Sequence, residues 1–341
     1  MEWKQIDLMR GADKLVRECA GVQSDEDVLV VCDTSTVDIG LAIASAAIAV
    51  AKEVTTCVMR LYARMSHGED PPRPIAAAMK ESDVVFAPTA WSLYHAPARR
   101  EACEAGARVI SMGTVDEEML VAVADTPFLE MQPIIKKVTE FLQEASTAHM
   151  TTPGGSDVTF DLRGRSKYTD SAYGLCRRGD KIKCQAPPCL EVNISPVEDT
   201  TEGIFVVDAS QAAIGLVRDP ITLRIEKGTI VKIEGREEAR RLREYLENLK
   251  DSNVYRVAEL GIGMNPRARM RGHFVEDEAV YGTAHIGIGN NASSWGGKIN
   301  AVAHSDNITW WPTVKLDGKT IMKDGKLTIK DVPEIRGIYS K

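Results

Sequence analysis

Three of the six histidines fall between positions 273 and 304, in phrases that also carry carboxylates and glycines. The sharpest is Ala303-His304-Ser305-Asp306. On an extended strand, residues two apart share a face about 6.6 Å apart along the chain, so the imidazole and the carboxylate can hold one metal ion or hydrogen-bond to each other. His285 opens His-Ile-Gly-Ile-Gly, and Glu259 opens the matching phrase Glu-Leu-Gly-Ile-Gly. A carboxylate inside so apolar a strand is costly unless paired, protonated or metal-bound. Glu198 lies in a turn, Pro196-Val197-Glu198-Asp199. Together Glu198, Glu259, His285, His304 and Asp306 offer three carboxylates and two imidazoles, enough for one metal ion with open positions or two ions about 3.5 to 4 Å apart. That donor mixture suits zinc, manganese or ferrous iron better than calcium or magnesium. The bland readings are a hydrogen-bonded His–Asp pair, a strand-start histidine and a solvated loop acid.

The acid run Glu276-Asp277-Glu278 reads as solvated, with Asp277 and Glu278 as reserve site acids. His67, His95 and His149 lack acids at useful spacing and read as structural. Dinucleotide (GxGxxG), P-loop, HExxH and GxSxG phrases are absent. The Cys32-Asp33-Thr34-Ser35 phrase reads as a helix cap. Seven cysteines without a CxxC pair favour neither a disulfide framework nor a thiolate zinc site.

These residues need strands to carry them. From 27 to about 145, apolar β-rich runs at 28–32, 54–59, 84–87 and 109–112 alternate with helical patterns at 35–52, 74–80 and 96–105. Further helices are expected at 114–123 and 133–144. This alternation predicts an α/β domain with a parallel sheet covered on both faces. Thr151-Thr152-Pro153-Gly154-Gly155 reads as a boundary, dividing the chain into domains 1–150 and 151–341. Beyond it the pattern becomes α+β with mostly antiparallel strands, at 156–162, 203–208, 221–225, 229–234, 258–263, 283–289 and 301–311. One amphipathic helix spans 237–249, and a last hairpin runs through Asp317 and Asp324. The second half carries the metal-site residues.

The chain has 341 residues and a net charge of −7, which argues against a nucleic-acid partner. Its most apolar stretch, at 39–51, is too short to span a membrane. The first ten residues do not read as a secretory signal, so a cytoplasmic location is expected. Trp295, Trp310 and Trp311, near the site in sequence, could line a pocket or an interface, and a homodimer is expected.

From Asn193 to Pro312 the phrases resemble the aminopeptidase T family of metallopeptidases and its leucyl aminopeptidase-like relatives. Glu198 after Asn193-Ile194-Ser195-Pro196, Glu259 in Ala-Glu-Leu-Gly-Ile-Gly, His285 in Ala-His-Ile-Gly-Ile-Gly, and His304 with Asp306 fall in the family's ligand order. The resemblance implies a metallohydrolase holding one or two divalent ions (zinc, cobalt or manganese), with metal-activated water attacking an amide or peptide bond. Glu198 would take the water's proton, and Glu259 would join it in the catalytic set. Ala292 stands where those peptidases carry a tyrosine. A second branch of similar architecture, the 2,5-dihydroxypyridine 5,6-dioxygenases, shares Gly263-Met264-Asn265-Pro266-Arg267-Ala268 and the H-x-D phrase. It implies a ring-cleaving Fe(II) enzyme with histidine at the Glu259 position. Glu259 and His285 tilt the reading to hydrolysis of a peptide or other small-molecule substrate. A metal-free ligand-binding protein on the same fold is the third reading.

Overall fold

The computed structural model describes residues 3–61, 67–165, 170–292 and 296–329. Trp295 lies outside them. The chain divides into two compact units, Met1–Phe128 with Ala172–Cys189, and Leu129–Ser171 with Leu190–Lys341.

The first unit holds a parallel sheet in the order Glu53–Met59, Asp27–Asp33, Val84–Thr89, Arg108–Gly113, Cys184–Gln185. Val28 to Cys32 are buried along their whole length, which is why the strand reads as an unbroken apolar run rather than an alternating one. The connecting helices include Val37–Ile48, Arg73–Lys80 and Pro97–Ala105. Pro97 occupies a first turn that has no use for its missing N–H, and Gly106 closes that helix at φ 118°. The helix expected to reach residue 52 stops at Ile48, since the Lys52 N–H instead donates to the Glu26 carbonyl at 2.9 Å. Helix Trp3–Lys14 and the π-turn Leu15–Cys19 were not legible, although Leu8, Ala12, Leu15 and Val16 are buried. Beneath them Arg108 donates to both carboxylate oxygens of Glu26, at 2.9 and 2.8 Å.

The second unit is built on two largely antiparallel sheets. The eight-stranded sheet has the order Thr229–Glu234, Ile221–Glu226, Glu202–Val207, Asp157–Asp161, Thr147–Thr151, Thr313–Leu316, Lys319–Lys323, Lys326–Leu327. Lys227 and Gly228, at φ 47° and 66°, make the tight turn of its first hairpin, the left-handed pair that a two-residue hairpin favours. Helix Glu237–Asn248 lies against that hairpin and buries Ala239, Leu242 and Leu246. The proline-glycine segment read as a boundary is instead a hairpin turn within this unit, with Thr151 opposite Asp157.

The seven-stranded sheet runs Gly215–Leu216, Ser210–Gln211, His304–Trp310, Thr283–Gly289, Val257–Gly263, Glu191–Ile194, Asp170–Ala172. The expected class, a parallel-sheet α/β part and a mostly antiparallel α+β part carrying clustered metal-ligand residues, is the observed one. No helix of the described residues is long and apolar enough to cross a membrane.

Candidate metal centre

Four neighbouring strands of the seven-stranded sheet build the site. Their register sets Glu259 opposite Gly287 and Gly287 opposite Asp306, while Gly261 faces both His285 and Asn193, Gly263 faces Glu191, and Gly289 faces His304. Side chains alternate along a strand. Glu191, Glu259, His285, His304 and Asp306 therefore share one face, and Val192, Ile194, Leu260, Ile262, Ala284, Ile286 and Ile288 make the apolar other. That buried apolar face fixes the register, because a slip by one residue would bury the wrong set.

The repeated glycines have a steric role. A β-carbon at 261 would run into the His285 ring, and one at 287 would lie 2.6 Å from Cε1 and Nε2 of His304 and 2.9 Å from the β-carbon of Glu259. Glycine on the facing strand clears the space into which each imidazole lies.

His304 Nε2 sits 3.1 Å from Glu259 Oε2 and 3.1 Å from Asp306 Oδ1. Its Nδ1 lies 2.9 Å from the Asn290 carbonyl. A carbonyl only accepts, so Nδ1 carries the proton, and Nε2 turns its lone pair toward two carboxylates. Such an arrangement needs a cation, either a proton on Nε2 or a metal ion among the three groups. A ring nitrogen tied to a carbonyl behind a ligating nitrogen is how metal-binding histidines are oriented. Glu259, His304 and Asp306 thus fit a divalent ion by donor chemistry and by geometry. A second group, Glu191, Glu259 and His285, shares Glu259; His285 Nε2 is 3.6 Å from Glu259 Oε1 and from Glu191 Oε2.

Burial disfavours charge on every member of this cluster, but opposite charges at contact distance outweigh it. His285 is held up at about 9, its burial overcome by Glu259, Glu191 and Asp306. His304 is pushed well above the ordinary imidazole value, chiefly by Asp306 and Glu259 acting against burial. Glu259 and Asp306 are lowered despite burial, because imidazoles face both.

The structure thus gathers Glu259, His285, His304 and Asp306. It does not bring Glu198 among them. Glu198 pairs with Arg165 and accepts the Lys298 N–H at 2.9 Å, and it belongs to none of the ion-holding groups found among the described residues. Glu191, absent from the sequence reading, lies in the cluster. Its signal was the alternation Glu191-Val192-Asn193-Ile194, polar and apolar by turns, immediately upstream of the Ser195-Pro196 turn next to Glu198.

The acid run is not solvated. Glu276 and Asp277 are fully buried, Glu276 against Arg269 and Arg271, Asp277 accepting the Ser210 hydroxyl at 2.6 Å and the Arg271 and Gly272 N–H groups at 2.8 and 2.9 Å. These donors offset the desolvation that a surface position would have avoided. The third acid, Glu278, is half-buried. His149 does find an acid, Asp157 at 2.7 Å across the hairpin and at the surface. Trp310 and Trp311 stack with centroids 5.5 Å apart, but Trp310 is four strand positions past Asp306, ~13 Å along the chain.

A buried imidazole–carboxylate cluster on the polar face of an antiparallel sheet has the donors of a metal-binding site. Residues 10–329 match the family model described as NicX: 2,5-dihydroxypyridine 5,6-dioxygenase, and the chain belongs to that family. It is 26% identical over 271 residues to a 2,5-dihydroxypyridine 5,6-dioxygenase of Pseudomonas putida KT2440, covering 76% of this chain and 75% of that protein. The solved structure of the 2,5-dihydroxypyridine dioxygenase from that organism superposes with a TM-score of 0.82 at 22% identity, covering 96% of this chain and 98% of that one. Wild-type AmpT from Thermus thermophilus gives 0.65 at 17% identity, covering 95% and 99%. At those identities the two superpositions speak for the fold alone.

The family match overturns the metallohydrolase expectation. That expectation rested on Glu259 and His285, and a mixed imidazole–carboxylate set serves zinc and iron alike, so ligand types could not choose the reaction.

Proposed function

We propose that this chain is a metal-dependent dioxygenase that opens a hydroxylated aromatic ring, with Glu259, His304 and Asp306 holding a ferrous ion. The observation that carries the reading is the family match across residues 10–329; the convergence of three donor atoms from those side chains supports it. A ferrous ion supplies the electron transfer to oxygen that ring opening requires, and sites with few protein ligands leave positions for substrate and oxygen. Two carboxylates and one neutral imidazole balance a dipositive charge. The Asn290 carbonyl keeps the His304 proton on Nδ1 and so leaves Nε2 available. Burial of Glu259 and Asp306, at 2% and 5% exposure, keeps water from competing for the ligand oxygens. The donor set has one imidazole where the usual facial triad has two; His285, on the other side of Glu259, is the second imidazole nearest to hand.

The test is an oxygen-electrode assay on protein loaded anaerobically with Fe(II), using 2,5-dihydroxypyridine and its dihydroxylated pyridine and benzene analogues. Expected is one oxygen consumed per ring opened, dependent on Fe(II) and abolished in His304→Ala. Loaded protein that consumes no oxygen with any of these rings refutes the reading.

A further inference from the structure

We infer that Asn291 is a positioning residue for the ion site: its carboxamide locks the Glu259 strand to the turn that orients His304. The inference rests on the assignment of Glu259, His304 and Asp306 as the ion-holding set, and it concerns a residue that touches none of them.

Asn291 is 1% exposed and uses its whole side chain. Nδ2 donates to the Ser195 hydroxyl at 2.6 Å and to the Ala258 carbonyl at 2.9 Å, and Oδ1 accepts the Ile299 N–H at 2.8 Å. The donor–acceptor pattern admits a single orientation of the amide, since the Ala258 carbonyl can only accept and the Ile299 N–H can only donate. Ser195 adds its own hydroxyl hydrogen to the Ala258 carbonyl at 2.7 Å. Two donors therefore grip the peptide immediately before Glu259, where the strand register shifts between Val257 and Glu259. An irregular stretch of strand lacks part of its ladder, and here side chains replace what the ladder leaves out.

The backbone before the residue leads to His304 through Asn290. The Asn291 N–H donates to the Ile299 carbonyl at 3.0 Å, and the preceding Asn290 N–H donates to the Ala303 carbonyl at 2.8 Å. Asn290 is thus held from both sides, and its own carbonyl takes the His304 Nδ1 hydrogen. One buried amide fixes where Glu259 begins and where the acceptor behind His304 sits. Gly297 supports this arrangement, because a side chain there would occupy the space of the carboxamide. Removing the amide leaves the Ile299 N–H without its side-chain acceptor and the Ala258 carbonyl with one donor in place of two, and so loosens the segment that carries the Asn290 carbonyl. Outer-shell partners of this kind typically contribute 10–100-fold to metal affinity.

The experiment is a calorimetric Mn(II) titration of the ion-free full-length protein, with the visible spectrum of the Co(II)-loaded form as a second readout. Asn291→Ala weakens Mn(II) binding by about 10–100-fold and shifts the Co(II) bands. Asn291→Asp keeps the acceptor for Ile299 but loses both donors, and moves both readouts in the same direction should the alanine variant fold poorly. Ser156→Ala removes a buried hydroxyl that serves the Val206 N–H of the other sheet at 2.9 Å; it lowers thermal stability and leaves affinity and spectrum unchanged. His304→Ala separates the two levels of the argument. If it binds Mn(II) as the parent does, the ion-site assignment itself is wrong. If it abolishes binding while Asn291→Ala and Asn291→Asp bind as the parent does with an unchanged Co(II) spectrum, the positioning role is wrong and the site stands.

Discussion

Gly287→Ala should disable the ion site without touching a ligand. Gly287 lies mid-strand between Glu259 and Asp306 and has no positive φ, so alanine meets no backbone strain there. The added methyl would sit 2.6 Å from Nε2 and Cε1 of His304, whereas unstrained contact needs about 3.5 Å. The ring must therefore retreat by about 0.9 Å. Metal–ligand distances tolerate about 0.2 Å, so His304 can no longer share an ion with Glu259 and Asp306 in their present positions. The expected loss is at least about 10–100-fold in ion affinity, as when a ligand's support is removed, and about 10²-fold in turnover from misplacement on the ångström scale. Overpacking costs about 1–3 kcal/mol, partly offset by about 0.4–1 kcal/mol from losing glycine's freedom in the unfolded chain. The protein should thus fold with a modestly lower melting temperature. The assay is metal content after anaerobic loading and desalting, with a thermal melt of the same sample. A folded Gly287→Ala that retains the parent's ion affinity would refute the claim that glycine clears the ground for His304.

Gly261→Ala drives its methyl into His285 instead, and with the ion on Glu259, His304 and Asp306 it should weaken binding less than Gly287→Ala; metal analysis of the pair decides, and the reverse order would move the ion to the Glu191–His285 side. Glu198→Gln, at a residue held by Arg165 and the Lys298 N–H, should keep the parent's ion stoichiometry in elemental analysis; a fall to the His304→Ala level returns Glu198 to the ligand set. The His285 pKa is raised to about 9 from an unfolded value of about 6.5. Its stabilising charge is therefore complete below about pH 6.5 and disappears as pH climbs through about 9, so the melting temperature of ion-free protein should fall across that window while ion affinity rises as protons cease to compete. Flat melting temperatures from pH 6.5 to 9 would contradict this. In the first unit, Glu26→Gln leaves Arg108, at 4% exposure, without its counter-charge and should cost about 3–5 kcal/mol by denaturant unfolding; a change within error would show that water reaches the pair.

Period-two patterning made much of the site legible. Glu259 with Gly261, His285 with Gly287, and His304 with Asp306 are each two apart on strands, so spacing alone puts each pair on one face. What spacing cannot supply is the order of strands in the sheet. Glu191 enters the cluster because the Glu191–Ile194 strand pairs with the Glu259 strand, some 70 positions later in the chain. Glu198 leaves it because Arg165, from a distant segment, satisfies its charge. The buried Glu276 and Asp277 were misread for the same reason: an acid run looks solvated until long-range donors are known. The parallel sheet was legible because strands buried on both faces announce themselves by apolar runs. Helix Trp3–Lys14 was not, since its few buried positions are scattered among charged residues.

The two glycine phrases join these observations. Two of the strands that offer a ligand also offer, two residues on, a glycine against the neighbour's imidazole, Gly261 beneath His285 and Gly287 beneath His304. Facing β-carbons on paired strands lie about 4.5–5.5 Å apart, and here a β-carbon at either glycine would collide with the ring that lies over it. Alternating a ligand with an empty position lets the rings lie down across the strands, so that both nitrogens facing Glu259 reach its two oxygens from opposite sides. The Glu-Leu-Gly-Ile-Gly and His-Ile-Gly-Ile-Gly phrases are therefore a single device. Their apolar positions anchor the sheet from behind while their glycines make room in front, and neither phrase could build the centre without the other.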